Sequence, residues 1–297
     1  MNFNNDAEKS TFDKIVNELP NIIKTKCNNY DELYGHRLIK DQDDEDSIRN
    51  QYYNESIAHA LIYKLCKAYQ FQYHEIVKHI IAILKWRHDF NPLSAAFKEV
   101  HDPELQHVGI LTRYLEGKND GNKKVVTWNL YGQLVKKKHV FKDISKFLRY
   151  RVGLMERGLK LLDFNNENNC YMTQVHDYKG VSMWKMDPEI KKCTKLTIRT
   201  FQNYYPELLY AKYFVNVPKV LSWVYDLVKT FVDERTRRKF VVLNDGTKLG
   251  EYLPECPSLE YGGQDKKRTL MEQNVKVVTP TPYGLFLLEQ QNKEDID

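Results

Sequence analysis

The stretch YMTQVHDYKGVSMW, from Tyr171 to Trp184, places an imidazole and a phenol close together within the pattern of a buried strand. Side chains two positions apart on a strand share a face, so His176 and Tyr178 would point to one side and Asp177 to the other. Gly180 falls on the first face and would leave room beside the phenol. The same face would carry Gln174, Ser182 and Trp184.

Two chemistries fit a histidine and a tyrosine on one strand face. The two side chains can hydrogen-bond within a core, which is common in sheets. Alternatively, tyrosinate is an axial ligand of heme iron in catalase, and a neighbouring imidazole can hydrogen-bond such a phenolate and tune its basicity. Because the pKa of a free phenol is about 10, the ferric charge would have to stabilise the phenolate. This strand alone favours the core interpretation, and both interpretations stay open at this point.

The elements that must position these groups change in type near residue 105. Before it, apolar residues recur at helical spacing in three stretches, which predict one helix ending at Pro20, a second that Leu61, Leu65 and Ala68 lead into, and a third ending at Pro92. After it, strands are predicted in 123–135, 171–184, 211–218 and 239–245, and helices in 143–164, 188–204 and 220–231. This alternation predicts an α/β fold with a parallel or mixed sheet covered by helices.

Composition restricts the class of protein. The chain has 297 residues, of which 42% are hydrophobic and 29% charged, as is ordinary for a globular protein with a real core. Five widely spaced cysteines indicate free thiols in a reducing compartment rather than a zinc site. The start MNFNNDAEKS lacks a signal-peptide pattern, so we expect a cytoplasmic protein with only peripheral membrane contact. A net charge of +5 permits an anionic partner but falls short of a nucleic-acid-binding footprint.

Several separated motifs resemble the CRAL-TRIO lipid-binding family. They are LCKAYQFQYHEIVKHIIAILKWRHDF, YYPELLYAKYFVNVPKVLSWVYDLVKTFVDERTRRKFVVL and SLEYGG, and the resemblance extends from about Leu61 to Gly263. The resemblance implies an N-terminal helical lobe (1–104), a lipid- and heme-binding domain (105–265) and a C-terminal extension (266–297). It implies that the mixed or parallel sheet floors a hydrophobic pocket. It also implies that the helix after Pro218 acts as a gate over the pocket mouth.

Within that family, YGQLVKKK, RYRVGLMERGLKLLDF and NNCYMTQVHDYKGVSMWKMD are similar to the heme-binding, non-classical phosphatidylinositol transfer proteins of yeast. By this resemblance, Tyr178 ligates the iron of ferric heme b and His176 is its close neighbour. The resemblance further implies that Tyr131, Arg151 and Lys212 line the cofactor. Arg151 and Lys212 suit its propionates, because buried carboxylates need paired charge.

The family resemblance also implies a phospholipid ligand. Glu207 and Lys239 match headgroup contacts, and a carboxylate suits inositol hydroxyls as a lysine suits a phosphate. The helix 219–239, with its basic end, is expected to meet anionic membranes, at the endoplasmic reticulum and at the plasma membrane. The expected function is heme binding with phosphatidylinositol binding or transfer, in phosphoinositide homeostasis and oxidant response, without enzymatic activity. The alternatives are a plain lipid-transfer module without heme and a heme enzyme of peroxidase or catalase type.

Overall fold

The computed structural model describes residues 1–41, 44, 46–114, 119–181, 188–218 and 232–294. The α-helices are α1 (Asp6–Lys26), α2 (Glu55–Ala68), α3 (Tyr73–Phe90), α4 (Pro92–Phe97), α5 (Pro103–Gln106), α6 (Ile144–Leu159), α7 (Pro188–Tyr204), α8 (Glu234–Arg237), α9 (Ser258–Tyr261), α10 (Leu270–Gln273) and α11 (Pro282–Glu294). The strands are β1 (Glu32–Leu33), β2 (His36–Arg37), β3 (Gly109–Arg113), β4 (Val125–Leu130), β5 (Met172–Asp177), β6 (Leu209–Val215) and β7 (Phe240–Leu243). Short 3-10 turns span Ile48–Tyr52, Gly121–Lys123, Tyr131–Leu134, Lys138–Phe141 and Gly246–Glu251.

The chain forms two units. The helical unit consists of Met1–Lys98, Asn203–Glu207 and Thr279–Asp297, and the sheet unit consists of Glu99–Gln202 and Leu208–Val278. The helical unit thus takes up a stretch near the C-terminus as well as the N-terminal helices. The division into 1–104, 105–265 and 266–297 stays a prediction.

Helix α1 corrects one expectation within the helical unit. Its start is fixed by Asn5, whose side chain accepts a hydrogen bond from the Glu8 amide. The sequence predicted an end at Pro20, but the helix continues through this proline to Lys26. Ile22 and Ile23, beyond the proline, are buried, so burial of a further apolar turn outweighs the amide hydrogen that proline lacks.

The sheet unit is built on five strands in the order β3-β4-β5-β6-β7. Strand β3 is antiparallel to β4, and all later neighbours are parallel. The predicted α/β fold with a mixed sheet is therefore confirmed. Trp128 and Tyr213 belong to the core cluster on one face, which residues 249–270 cover. Helix α6 packs on the other face, where a Cβ on Gly158 would lie 2.6 Å from the Met172 sulfur.

Strand β5 is shorter than the sequence suggested. It ends at Asp177, and the amide of Tyr178 continues the pairing by one residue through a 3.0 Å hydrogen bond to the Val215 carbonyl. Gly180 has φ +80° and lies in an exposed turn rather than on a strand face, because the chain reverses after the strand. Ser182 and Trp184 lie outside the described residues, as does residue range 219–231, which contains most of the expected gate helix. Within the described part of the chain, no helix has the length and apolarity to cross a bilayer.

Candidate ligand site on the central sheet

The site begins with the register of three neighbouring strands. Asn129 of β4 is paired with His176 of β5, and His176 with Phe214 of β6. These three side chains therefore lie side by side on one face. Gln174 and Lys212 are likewise paired and share that face, two residues earlier along the strands.

Aromatic rings collect at the ends of these strands. The Tyr131 ring lies 5.1 Å from the His176 ring in an edge-on arrangement and 5.8 Å from the Tyr178 ring. The Phe214 ring lies 5.7 Å from His176 and 6.3 Å from Tyr178. Ile198 of α7 packs against the same cluster. The structure thus brings together the histidine and both tyrosines that the sequence selected.

Two cationic side chains point into this aromatic group. Arg151 of α6 is 4% exposed, donates from Nη1 to Asn129 Oδ1, and holds its guanidinium 5.9 Å from the Tyr131 ring centre. The Lys212 ammonium lies 5.5 Å from the Phe214 ring centre and 5.8 Å from that of Phe240. Among the described residues, neither Arg151 nor Lys212 forms an ion pair with a carboxylate. A buried charge without a counter-charge is costly, so this arrangement favours an anionic ligand.

Three polar atoms at the same place have no hydrogen-bond partner within the described part of the chain. They are Asn129 Nδ2, Arg151 Nε and His176 Nε2, and all three are buried. Native interiors satisfy nearly all such atoms, and an exception calls for a bound group. Together with the unpaired cations, these atoms fit a ligand that carries carboxylates or other acceptors.

The low polarity of the site changes the acidity of its side chains. Burial, reinforced by Lys212 and Arg151, lowers the pKa of His176 well below its usual value, so its imidazole is neutral at pH 7. Burial and the nearby Tyr131 raise the pKa of the Tyr178 phenol. Burial and the Arg151 charge lower the pKa of Lys212 to about 7. The Tyr178 phenol therefore stays protonated unless a cation adjoins its oxygen.

A hydrogen-bond network holds the chain on both sides of Tyr178. The buried Asp177 carboxylate accepts from the Lys179 amide at 2.8 Å, from Asn216 Nδ2 at 2.8 Å and from the Tyr261 hydroxyl at 2.9 Å. Asn216 in turn accepts from the Gly246 amide at 2.8 Å. The carboxylate has several donors, as a buried charge requires, and the turn that carries Tyr178 is fixed from the far side of the sheet.

A glycine allows the two tyrosines to approach each other. A Cβ on Gly132 would lie 1.9 Å from the Lys179 carbonyl oxygen, so only glycine permits this contact between backbones. The turn that carries Tyr131 can therefore lie directly against the turn that follows Tyr178.

The two residues expected to bind a lipid headgroup lie in different units. In the helical unit, the Glu207 carboxylate lies 3.8 Å from the Lys67 ammonium, and the Glu207 carbonyl accepts from Lys64 at 3.3 Å. In the sheet unit, Lys239 Nζ donates to the Leu209 carbonyl at 2.6 Å. Both side chains thus have protein partners, and their role as headgroup contacts stays a prediction.

Sequence reasoning missed several members of the site. Asn129 lies in β4, just before Tyr131, and Gly132 lies in the same turn as Tyr131, while Asp177 was noted only as pointing away. A usable signal exists for Asn129, because it is a polar residue in VVTWNL, a strand with every residue buried. Close backbone contacts such as that of Gly132 leave no such signal in a single sequence.

Comparison with known proteins places this site in a family. The model of the CRAL/TRIO domain matches residues 112–263, about half of the chain and a range that includes every candidate residue named above. The chain belongs to the CRAL/TRIO domain family. Two relatives are each called phosphatidylinositol transfer protein SFH5. The one from Candida glabrata is 63% identical and the one from Saccharomyces cerevisiae 61% identical, both over 100% of each chain.

A solved structure extends the family likeness to three dimensions. The chain described as "Crystal structure of Sfh5" superimposes with a TM-score of 0.95 at 62% sequence identity. The match covers 99% of this chain and 100% of that chain. This CRAL/TRIO protein therefore shares its whole fold with that structure.

Proposed function

We propose that the protein binds and transfers phosphatidylinositol and also holds ferric heme b through Tyr178. Lipid transfer is supported by identity over the full length to proteins named phosphatidylinositol transfer proteins. Heme binding is supported by one observation above all. Arg151 and Lys212 lie without a carboxylate partner among the described residues, beside a histidine and a phenol, in an aromatic cluster.

The residues present fit a heme. Ferric heme supplies, when bound, a positive iron centre and two propionate carboxylates. Tyr178 would ligate the iron and release its proton, which the iron charge makes favourable although burial alone raises the phenol pKa. His176, neutral and with an unsatisfied Nε2, would hydrogen-bond near the phenolate. Arg151 and Lys212 would pair with propionates, and Tyr131 would complete the wall.

The test of the heme proposal is an absorbance spectrum of the purified protein, as isolated and after hemin addition. We expect a coloured protein whose Soret band shifts or disappears in Tyr178→Phe. Tyr213→Phe is the matched control, because Tyr213 is a buried tyrosine on the opposite face of the same sheet. A colourless protein that takes up no hemin would refute heme binding. A Tyr178→Phe spectrum identical to that of the natural protein would refute the ligand assignment.

Lipid transfer is tested separately, with labelled phosphatidylinositol moving between vesicles and by lipid extraction of the purified protein. Lys239 is proposed to bind the phosphate and Glu207 the inositol hydroxyls. Lys239→Ala should reduce the transfer rate about tenfold, the loss of one charge-assisted hydrogen bond, and leave the hemin spectrum unchanged. Lys248→Ala, at an exposed lysine of the same unit, is the control. Equal transfer by both variants would contradict the role of Lys239.

We propose a carrier rather than an enzyme, because the relatives are named for transfer. Its expected location is the cytoplasm, with peripheral association to the endoplasmic reticulum, and its expected roles are phosphoinositide homeostasis and response to oxidants. Peroxide turnover by the hemin complex well above that of free hemin would contradict this part of the proposal. If the protein binds hemin but its extract contains no phosphatidylinositol, only the heme part of the proposal stands. If the extract contains the lipid but the protein binds no hemin, only the lipid part stands.

A further inference from the structure

Positive charge is concentrated in two segments of the sheet unit. Residues 134–146 and 188–202 together contain nine lysines and arginines and two acidic residues, a net charge of +7 against +5 for the whole chain. The remaining residues are therefore slightly acidic in sum. Uniformly scattered lysines would not produce such a division, so this region has a distinct electrostatic character.

The two segments are neighbours because they share one hydrophobic cluster. Val140 and Phe141 of the first segment and Cys193 and Ile190 of α7 belong to that cluster. The lysines lie on the outside, where Lys136, Lys138, Lys142, Lys191 and Lys192 are exposed. We call the exposed side chains of 135–146 and 188–199 the basic face.

Several lysines of the basic face form no ion pair with any residue that the structure describes. Within the described residues, Lys137 pairs with Glu104 at 3.5 Å and Lys146 with Asp143 at 3.7 Å. Lys142 and Lys192 form no ion pair in that part of the chain. The face is thus available to an extended anionic surface at little desolvation cost.

Two apolar side chains are exposed among these lysines. Val135 is 36% exposed and Leu196 39% exposed. Lysines that surround exposed aliphatic groups are typical of surfaces that rest on anionic lipid with shallow insertion. The exposed residues of this face include no phenylalanine, tyrosine or tryptophan for base stacking, and the His139 imidazole pairs with Glu104 at 2.7 Å, which disfavours single-stranded nucleic acid as the partner.

Helix α7 connects the basic face to the candidate ligand site. Its inner side places Ile198 in the cluster of Tyr178 and Phe214, and its Phe201 ring lies 5.6 Å from the Arg151 guanidinium. Its outer side carries Lys191, Lys192 and Leu196. A membrane that contacts the outer side would therefore lie one helix away from the ligand site.

We propose that the basic face is the surface with which the protein docks on an anionic lipid membrane. This deepens the proposed function, since a phospholipid carrier must meet its membranes, and it assigns the contact to residues other than the basic end of 219–239. Docking should be electrostatic and reversible, because only two small apolar side chains accompany the lysines.

The test is flotation of the full chain with vesicles of phosphatidylcholine, with and without phosphatidylserine. The natural protein should bind only the anionic vesicles, and added salt should release it. The double variant Lys142→Glu with Lys192→Glu should bind at least about 25-fold more weakly, since each lysine near an anionic leaflet contributes on the order of fivefold. Both positions are exposed, so the fold should be unaffected, which the thermal melting temperature checks.

The matched control is Lys266→Glu with Lys267→Glu. It makes the same change in net charge at exposed positions of the segment that covers the opposite face of the sheet. Equal weakening by the two double variants would overturn the proposal, as would a natural protein without preference for anionic vesicles. Tighter binding to a mixed-sequence oligonucleotide than to vesicles at the same salt would assign the face to nucleic acid instead.

Hemin and phosphatidylinositol binding, measured in solution on the same variants, distinguish this proposal from the proposed function. Both should be unchanged in Lys142→Glu with Lys192→Glu. If the natural protein binds vesicles but neither ligand, the proposed function fails while the docking surface stands. If it binds its ligands but not vesicles, the docking surface alone fails.

Discussion

Lys212 illustrates how the fold changes the chemistry of one side chain. Its ammonium lies among the rings of Phe214 and Phe240 with Arg151 nearby, and its pKa falls to about 7. Desolvation and like charge both favour the neutral amine. An anionic ligand beside it would restore the charged form, so ligand binding and proton uptake become linked.

The affinity for hemin should therefore depend on pH. Below pH about 7 Lys212 is already charged, and above it the ligand has to draw a proton onto the amine. Tyr178 releases a proton when it ligates the iron, so the association constant should rise with pH below about 7, by up to about tenfold per pH unit, and level off above about 7, where proton uptake by Lys212 offsets that release. In Lys212→Arg the charge persists and only the Tyr178 proton is exchanged, so the rise should continue above pH about 7. Hemin titrations of both proteins in the same buffers measure this difference, and parallel curves would contradict it.

Two turns at the ends of β4 and β5 fix the relation between Tyr131 and Tyr178. The close contact of Gly132 with the Lys179 carbonyl and the hydrogen bond from the Lys179 amide to the Asp177 carboxylate both hold the backbone beside the rings rather than the rings themselves. The two turns therefore determine how Tyr131 and Tyr178 are placed relative to each other. Side chains on turns are positioned well only when the turn itself is rigid.

Gly132→Ala should disturb both stability and the site. The added methyl would meet a backbone oxygen that cannot move alone, so we expect a loss of about 1–3 kcal/mol in the free energy of unfolding and a shifted Soret band with hemin. Gly121→Ala is the control, because its Cβ would meet nothing within 4 Å although its φ is +51°. It should lose about 1–2 kcal/mol from backbone strain with an unchanged spectrum. Urea unfolding and absorbance measure the two effects, and an unshifted Gly132→Ala spectrum would contradict the role of the contact.

At the scale of the whole chain, the C-terminal residues belong to the fold of the helical unit. The Tyr283 hydroxyl of α11 donates to Asp31, and it accepts from Arg49 at 2.9 Å. Asp31 also accepts from Arg37 at 2.8 Å. Helix α11 thus completes a hydrogen-bond network with the N-terminal part of the chain. The bond between the Tyr283 hydroxyl and the Asp31 carboxylate joins positions 252 residues apart.

Tyr283→Phe should destabilise the helical unit by about 1–3 kcal/mol, because a buried carboxylate loses a hydrogen-bond donor. Leu285→Gln, at a 47% exposed position of the same helix, should change stability by less than about 0.5 kcal/mol. Amide hydrogen exchange in α1, α2 and α3 reports on this unit directly. Equal protection in the two variants would show that the network contributes nothing measurable.

Local pattern was sufficient for much of this protein. Apolar spacing and turn residues predicted the helix 188–204 and the mixed sheet, and the motifs identified the family. The motifs also selected Tyr131, Arg151, His176, Tyr178 and Lys212, whose role as ligand contacts stays a prediction. Helical and strand periodicities are set by neighbours along the chain, so a single sequence carries them. Motifs identify the family because they consist of particular residue types at fixed spacing, which can be read directly from the sequence.

Only the tertiary structure decided which groups meet and which lack partners. It placed Asn129 beside His176, ended β5 at Asp177 and carried α1 through Pro20. It also left Arg151 buried and Lys212 half-buried without a carboxylate partner among the described residues. Strand register, burial and counter-charge depend on residues that are distant in sequence. The contacts between these residues contribute energy only after folding has excluded water from between the side chains.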